Sequence, residues 1–156
     1  MAIHAYSEIY LDSAQNILGH SVDFAVMSLN IKPDTFGDAF MISNAGKQFA
    51  LGNPRYVSGM NGCELARTVL TETGIPFADT DDAMYLDKSP EYWAGWALAY
   101  YEWHKNISFE QINNIVPISD VVSLYDPLHE ADIMKFVEVM DARIRYFSEH
   151  LGQGRP

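Results

Sequence analysis

The sequence predicts an all-α protein, a single compact bundle of six or seven helices around a central aromatic helix near residues 90–104. Helix-start and helix-stop residues recur along the chain. Alternating strand patterns with hairpin dipeptides are missing. Two long segments carry apolar residues at helical spacing.

The elements follow in order. The first helical stretch, roughly Ser7 to Asn30, stops before Ile31-Lys32-Pro33, since a proline disfavours helix in the residue before it. Asp34 is placed to cap a short helix that ends near Ser43. Asn61 with Glu64 forms an Asn-x-x-Glu variant of the capping box, and Gly74 then Pro76 closes that helix. Ser89 before Pro90 is an N-cap with proline at the first helical position, and Ser108 with Gln111 is a second capping box. Asp126 before Pro127 repeats the cap-then-proline signal and opens a last long helix over 127–148. In 90–104, Trp93, Trp96, Tyr100 and His104 share one face, while Tyr92, Gly95, Ala99 and Trp103 occupy another. A helix apolar on nearly every side is surrounded by its neighbours, and Ala94, Gly95, Ala97 and Ala99 let them come close. In the last helix Ile133, Phe136, Val137, Met140, Ile144 and Phe147 form the apolar stripe, with Lys135, Glu138, Asp141 and Arg145 opposite.

The 156 residues, 48% apolar, suit one domain over 1–151, with 1–75 and 89–150 as its two halves and 152–156 as a flexible tail. Ten basic against 21 acidic side chains give a net charge of −11. That argues against nonspecific nucleic-acid binding and against attraction to anionic membranes, both of which need a basic footprint. One cysteine excludes an internal disulfide framework. The N-terminus lacks the basic residue of a signal peptide, and the longest uncharged apolar run, Tyr92 to Tyr101, is half a bilayer span. A cytoplasmic protein without a cofactor is the expectation. The acid is concentrated. Asp79, Asp81, Asp82, Asp87, Glu91 and Glu102 face one Lys88 over 76–102, and six further acids face one Lys135 over 117–142.

Several residue groups invite a chemical reading. His129 and Asp132, three apart, fall on one helix face and could share a metal, with His4, His20 or Asp23 arriving from elsewhere. His20 with Asp23 is an imidazole–carboxylate pair suited to a general base, or else a plain surface pair, since no nucleophile motif accompanies it. Cys63, two residues after the cap Asn61, has the placement of a thiolate at a helix N-terminus, and equally that of a small buried hydrophobe. The glycine-rich run 52–62 lacks both the Walker and the dinucleotide spacing, so it reads as a turn. The helices of 34–73 resemble a helix-turn-helix in outline but offer only Lys47, Arg55 and Arg67 as cations. The aromatics of 90–104 are core by their pattern, with a ligand pocket or protein hot spot as the alternative.

Four segments also carry a likeness: Phe36 to Phe40, Ser58 to Ala66, Tyr92 to Tyr101, and Tyr125-Asp126-Pro127-Leu128-His129-Glu130-Ala131-Asp132. Through them the chain resembles a family of proteins from anaerobic gut Firmicutes. Its C-terminal half, about Tyr92 to Ile144, is similar to a short helical bacterial domain of unknown function. That domain tends to be encoded beside ADP-ribosyltransferase-like proteins in toxin–antitoxin-like arrangements. The shared elements are an aromatic first helix, a Ser-Phe-Glu segment and a Tyr-x-x-Leu-His corner, here Tyr125, Leu128 and His129. The domain usually has His-Thr at the corner, where this chain has His129-Glu130. The resemblance implies an antitoxin or immunity-like protein and brings no catalytic residues.

The expected function is therefore a non-enzymatic, acidic protein-binding module. Asp79, Asp81, Asp82, Asp87, Glu130 and Asp132 would supply the binding charge for a protein partner with a basic face. The alternatives are a metal-dependent enzyme or ligand-binding protein using His129 and Asp132, and an acidic inhibitor that mimics DNA.

Overall fold

The computed structural model describes residues 3–83 and 88–152. Among them it holds ten α-helices and no strand, so the all-α class stands and the count of six or seven is too low. They are α1 (Leu11–Asp23), α2 (Pro33–Ile42), α3 (Asn44–Ala50), α4 (Pro54–Val57), α5 (Gly62–Glu72), α6 (Pro90–Lys105), α7 (Phe109–Asn113), α8 (Ile118–Ser123), α9 (Tyr125–Leu128) and α10 (Ile133–Tyr146). A 3-10 turn, Glu8–Tyr10, leads into α1, and π-helical turns extend α1 through Phe24–Ser28 and α10 through Phe147–Gly152. The additional helices are pieces of four to seven residues, too short to show a hydrophobic period.

The caps explain most of the boundaries. Asn61 Oδ1 accepts the Glu64 N–H at 2.8 Å to start α5, and Ser89 Oγ accepts the Tyr92 N–H at 2.9 Å to start α6. Ser108 and Gln111 close both halves of the capping box on α7. Asn106, with φ 53°, ends α6 in the left-handed region that asparagine tolerates. Two cap assignments are corrected. Pro33 opens α2 after Lys32, and Asp34 instead reaches across to α8, accepting from the Ser119 N–H at 2.8 Å and its hydroxyl at 2.7 Å. Asp126 lies inside the single turn of α9. The last long helix starts only at Ile133, capped by Asp132, whose Oδ1 accepts the Met134 N–H at 2.8 Å.

Helix α6 is central, as its all-round apolar pattern predicts: ten of its residues are buried, from Tyr92 to Trp103. Helix α1 runs antiparallel along it, with Gly19 against Tyr92, Gln15 Nε2 donating to the Trp96 carbonyl at 3.3 Å, and His4 stacked on Trp103. The approach is set by glycine. A Cβ on Gly95 would lie 2.5 Å from the Leu18 carbonyl oxygen, and one on Gly19 would lie 2.8 Å from Tyr92. On the other side Trp93 wedges between Tyr125 and Phe136, which seats α9 and α10. Phe40 packs edge-on against Phe49 and Phe109, joining α2, α3 and α7. One hydrophobic core runs from Ala14 to Met140 and includes both halves of the chain. Among the described residues no helix is long and apolar enough to cross a membrane.

Candidate interaction site on the aromatic helix

Not all of the α6 aromatics are core. Trp93, Trp103 and Tyr101 are buried, but Trp96, Tyr100 and His104, four residues apart, form a half-exposed row along the outer edge of the helix. Tyr100 and His104 stack at 5.4 Å, which holds the row in place. At its N-terminal end the row meets a cleft of about 260 Å³ lined by Lys88, Tyr92, Trp93, Trp96, Tyr125 and His129. Lys88 Nζ sits 4.3 Å from the centre of the Tyr92 ring, so the cleft already accommodates an ammonium group against an aromatic face.

Acidic side chains act on the tyrosines of α6. Burial raises the Tyr92 pKa and the Asp12 carboxylate raises it further; burial raises Tyr100 likewise, followed by Asp132 and then Glu8. Glu8 and Asp12 come from the start of α1, and Asp132 from the corner between α9 and α10. Met134 lies beside Tyr100, its sulfur 3.8 Å from the Tyr100 hydroxyl. His104 is pushed below its usual value by burial and by the neighbouring His4 and Lys105, against the pull of Asp141. At neutral pH it therefore presents a neutral ring. The arrangement is an aromatic row with acidic side chains near it.

The acidic residues picked out in the sequence divide between elements. Asp79 and Asp82 dock on α5, where Arg67 Nε meets Asp79 at 2.8 Å and Arg67 Nη1 meets Asp82 at 2.7 Å. The Arg67 guanidinium holds the Asp79 carboxyl below its usual value, and its single charge offsets one of the two carboxylates it meets. Asp81 is exposed, and Asp87 lies outside the described residues. Glu130 and Asp132 sit at the α9–α10 corner, and Asp132 acts on Tyr100 while capping α10. Glu8 and Asp12 belong to neither acidic stretch. Glu8 lies in the 3-10 turn and Asp12 in the first turn of α1, and the pairing of α1 with α6 brings them near Tyr100 and Tyr92 respectively.

The other candidates find structural partners. His129 stacks on Tyr125 at 4.0 Å with Nδ1 2.6 Å from the Tyr125 carbonyl oxygen, and its Nε2 lies 3.6 Å from Glu130. Among the described residues no three His, Cys, Asp or Glu side chains are grouped to hold a metal ion, so His129 and Asp132 gain no third ligand. Asp23 does not orient His20; it accepts the Ser89 hydroxyl at 2.5 Å and ties the end of α1 to the cap of α6. Burial and then Lys88 push the His20 pKa down, opposed by Asp23, and its ring meets the edge of Tyr92 at 4.9 Å. Cys63 is 2% exposed, and burial pushes its thiol up, away from the thiolate. Cys63 and His20 do share a second cleft, of about 360 Å³, between α1 and the start of α5. Gly62 lets that helix start approach, since a Cβ there would lie 2.3 Å from the His20 Cβ.

Compared with known proteins, the chain matches no family model, no curated protein and no solved structure.

Proposed function

We propose that this chain is a non-enzymatic protein-binding module that takes the basic face of a partner onto the outer edge of α6. The observation that carries it is the half-exposed row Trp96, Tyr100 and His104, with Asp132 and Glu8 near enough to act on Tyr100. Exposed tryptophan and tyrosine are the side chains that anchor protein interfaces, through large area at low entropy cost. Nearby carboxylates add steering toward basic partners and disfavour acidic ones. The resemblance of the C-terminal half supplies the partner class, an ADP-ribosyltransferase-like protein that this chain would restrain as an antitoxin or immunity protein.

Co-expression of the tagged chain with that ADP-ribosyltransferase-like protein tests the proposal. A stoichiometric complex and relief of toxicity are the expected outcome. The association rate should fall at least tenfold between about 50 and 500 mM salt, as screening removes the steering. Absence of a complex together with undiminished toxicity would overturn the partner class. A complex whose association ignores salt would overturn the role of the nearby acids.

A further inference from the structure

Residues 3–7 run beside the C-terminal end of α6. The Ala5 N–H donates to the Trp103 carbonyl at 3.0 Å, and the Trp103 indole N–H donates to the Tyr6 carbonyl at 2.8 Å. The His4 ring stacks on Trp103 at 3.9 Å, with Nδ1 3.2 Å from the His104 carbonyl oxygen. Tyr6 also seats against Gly52, where a Cβ would come within 2.3 Å of the Tyr6 Cβ.

At Tyr6 this segment meets an anomaly in the core. Glu102 is 1% exposed, and neither of its carboxylate oxygens has a hydrogen-bond partner; the buried Tyr6 hydroxyl has none either. A buried carboxylate in this state is tolerable when protonated and strongly unfavourable when charged. Burial accordingly pushes Glu102 up to about 8 from 4.5, and the facing Phe109 N–H offsets part of the rise without reaching hydrogen-bond geometry. The Glu102 charge in turn adds to the burial that raises Tyr6. Tyr6 is the titratable group that faces Glu102 from the N-terminal segment. Helix α7 contributes a backbone N–H, and no charged side chain acts on Glu102 among the described residues. His104 answers to His4, Lys105 and Asp141 instead.

We propose that residues 3–7 form a pH-released strap, latched on α6 while Glu102 is protonated and lifted when Glu102 ionises, so that water reaches the carboxylate. The strap is the piece that can yield. It is held by three hydrogen bonds, by the His4 ring on Trp103 and His104, and by Tyr6 packed on the edge of the core, whereas α6 and α7 are fixed within the core. The folded value lies above the ordinary one, so latching is complete below about 4.5 and is lost as pH rises through about 8. The mechanism needs no partner on the α6 row, so its test is independent of the proposed binding.

Hydrogen exchange of the intact chain between about pH 7 and 9.5, corrected for the intrinsic pH dependence, is the test, in a range above the usual imidazole titration. Protection of the Ala5 amide and the Trp103 indole should fall at least tenfold, with the Leu98 amide in mid-α6 unchanged. Glu102→Gln should hold that protection constant across the same range. Ala5 protection that ignores pH, or Leu98 falling in parallel with it, would overturn the strap. Should Glu102→Gln not fold, the carboxyl-carbon resonance of Glu102 in the unaltered chain decides. A midpoint near 8 that tracks the Ala5 signal supports release, and a midpoint near 4.5 refutes it.

Discussion

Gly95→Ala should destabilise the fold by about 2 kcal/mol or more, although alanine is the better helix former by about 1 kcal/mol. The new Cβ would sit 2.5 Å from the Leu18 carbonyl oxygen and 2.9 Å from the Gly19 Cα, both main-chain atoms of α1. Neither can rotate away, so α1 and α6 must separate along their contact. Separation strains the Gln15 bond to the Trp96 carbonyl and the Asp23 bond to Ser89, and opens the apolar seam around Leu18. Urea unfolding measures the loss directly as a lower midpoint at unchanged slope. A variant as stable as the parent would show that the two helices are not held at glycine distance.

Trp93→Ala should be costlier, about 3–5 kcal/mol, the usual range for emptying a large buried aromatic site. Trp93 is 8% exposed and meets Tyr125 at 6.0 Å and Phe136 at 5.5 Å, both edge-on. It holds the α9–α10 corner against α6 and forms the back of the cleft beside Trp96. Truncation should therefore shift the NMR signals of Tyr125 and His129 as well as lower stability. Domains of this size are stable by roughly 5–15 kcal/mol in all, so Trp93→Phe, which keeps an aromatic ring, is the fallback if alanine does not fold. A loss below 1 kcal/mol, with His129 unmoved, would mean that the corner stands without this wedge.

The fold was legible where local chemistry dictates it. Asn61, Ser89 and Ser108 cap the helices that their sequence context announces, and the all-round apolar pattern of 90–104 identifies the central helix. Asp34 and Asp126 look the same on paper yet do other work, because Asp34 is claimed by Ser119, eighty-five positions away, and Asp126 falls within a single-turn helix. The site was half legible. Trp96, Tyr100 and His104 could be placed on one face, but their exposure depends on which neighbours cover α6. Charge counting points to Asp79, Asp81, Asp82, Asp87, Glu130 and Asp132; Arg67 pairs with two of these, Asp79 and Asp82, and Asp132 is the one that acts on Tyr100. Glu8 and Asp12, which also act on the α6 tyrosines, lie in a segment of modest charge and matter only through the packing of α1. Glu102 enters the charge sum of residues 76–102 like the other acids, and a linear charge sum cannot distinguish a buried carboxyl from an exposed one.

The central claim is that binding resides on the α6 row rather than on the acidic stretch of residues 79–82. Titration calorimetry of the proposed ADP-ribosyltransferase-like partner with two variants tests it most directly. Both Trp96→Ala and the paired Asp79→Asn, Asp82→Asn change solvent-accessible side chains. Trp96→Ala should weaken binding at least about thirtyfold, near 2 kcal/mol, as loss of an aromatic anchor does. The paired change should weaken it less than about threefold at 150 mM salt. The opposite order, with Trp96→Ala binding as the parent does and the paired change abolishing the complex, would contradict the account.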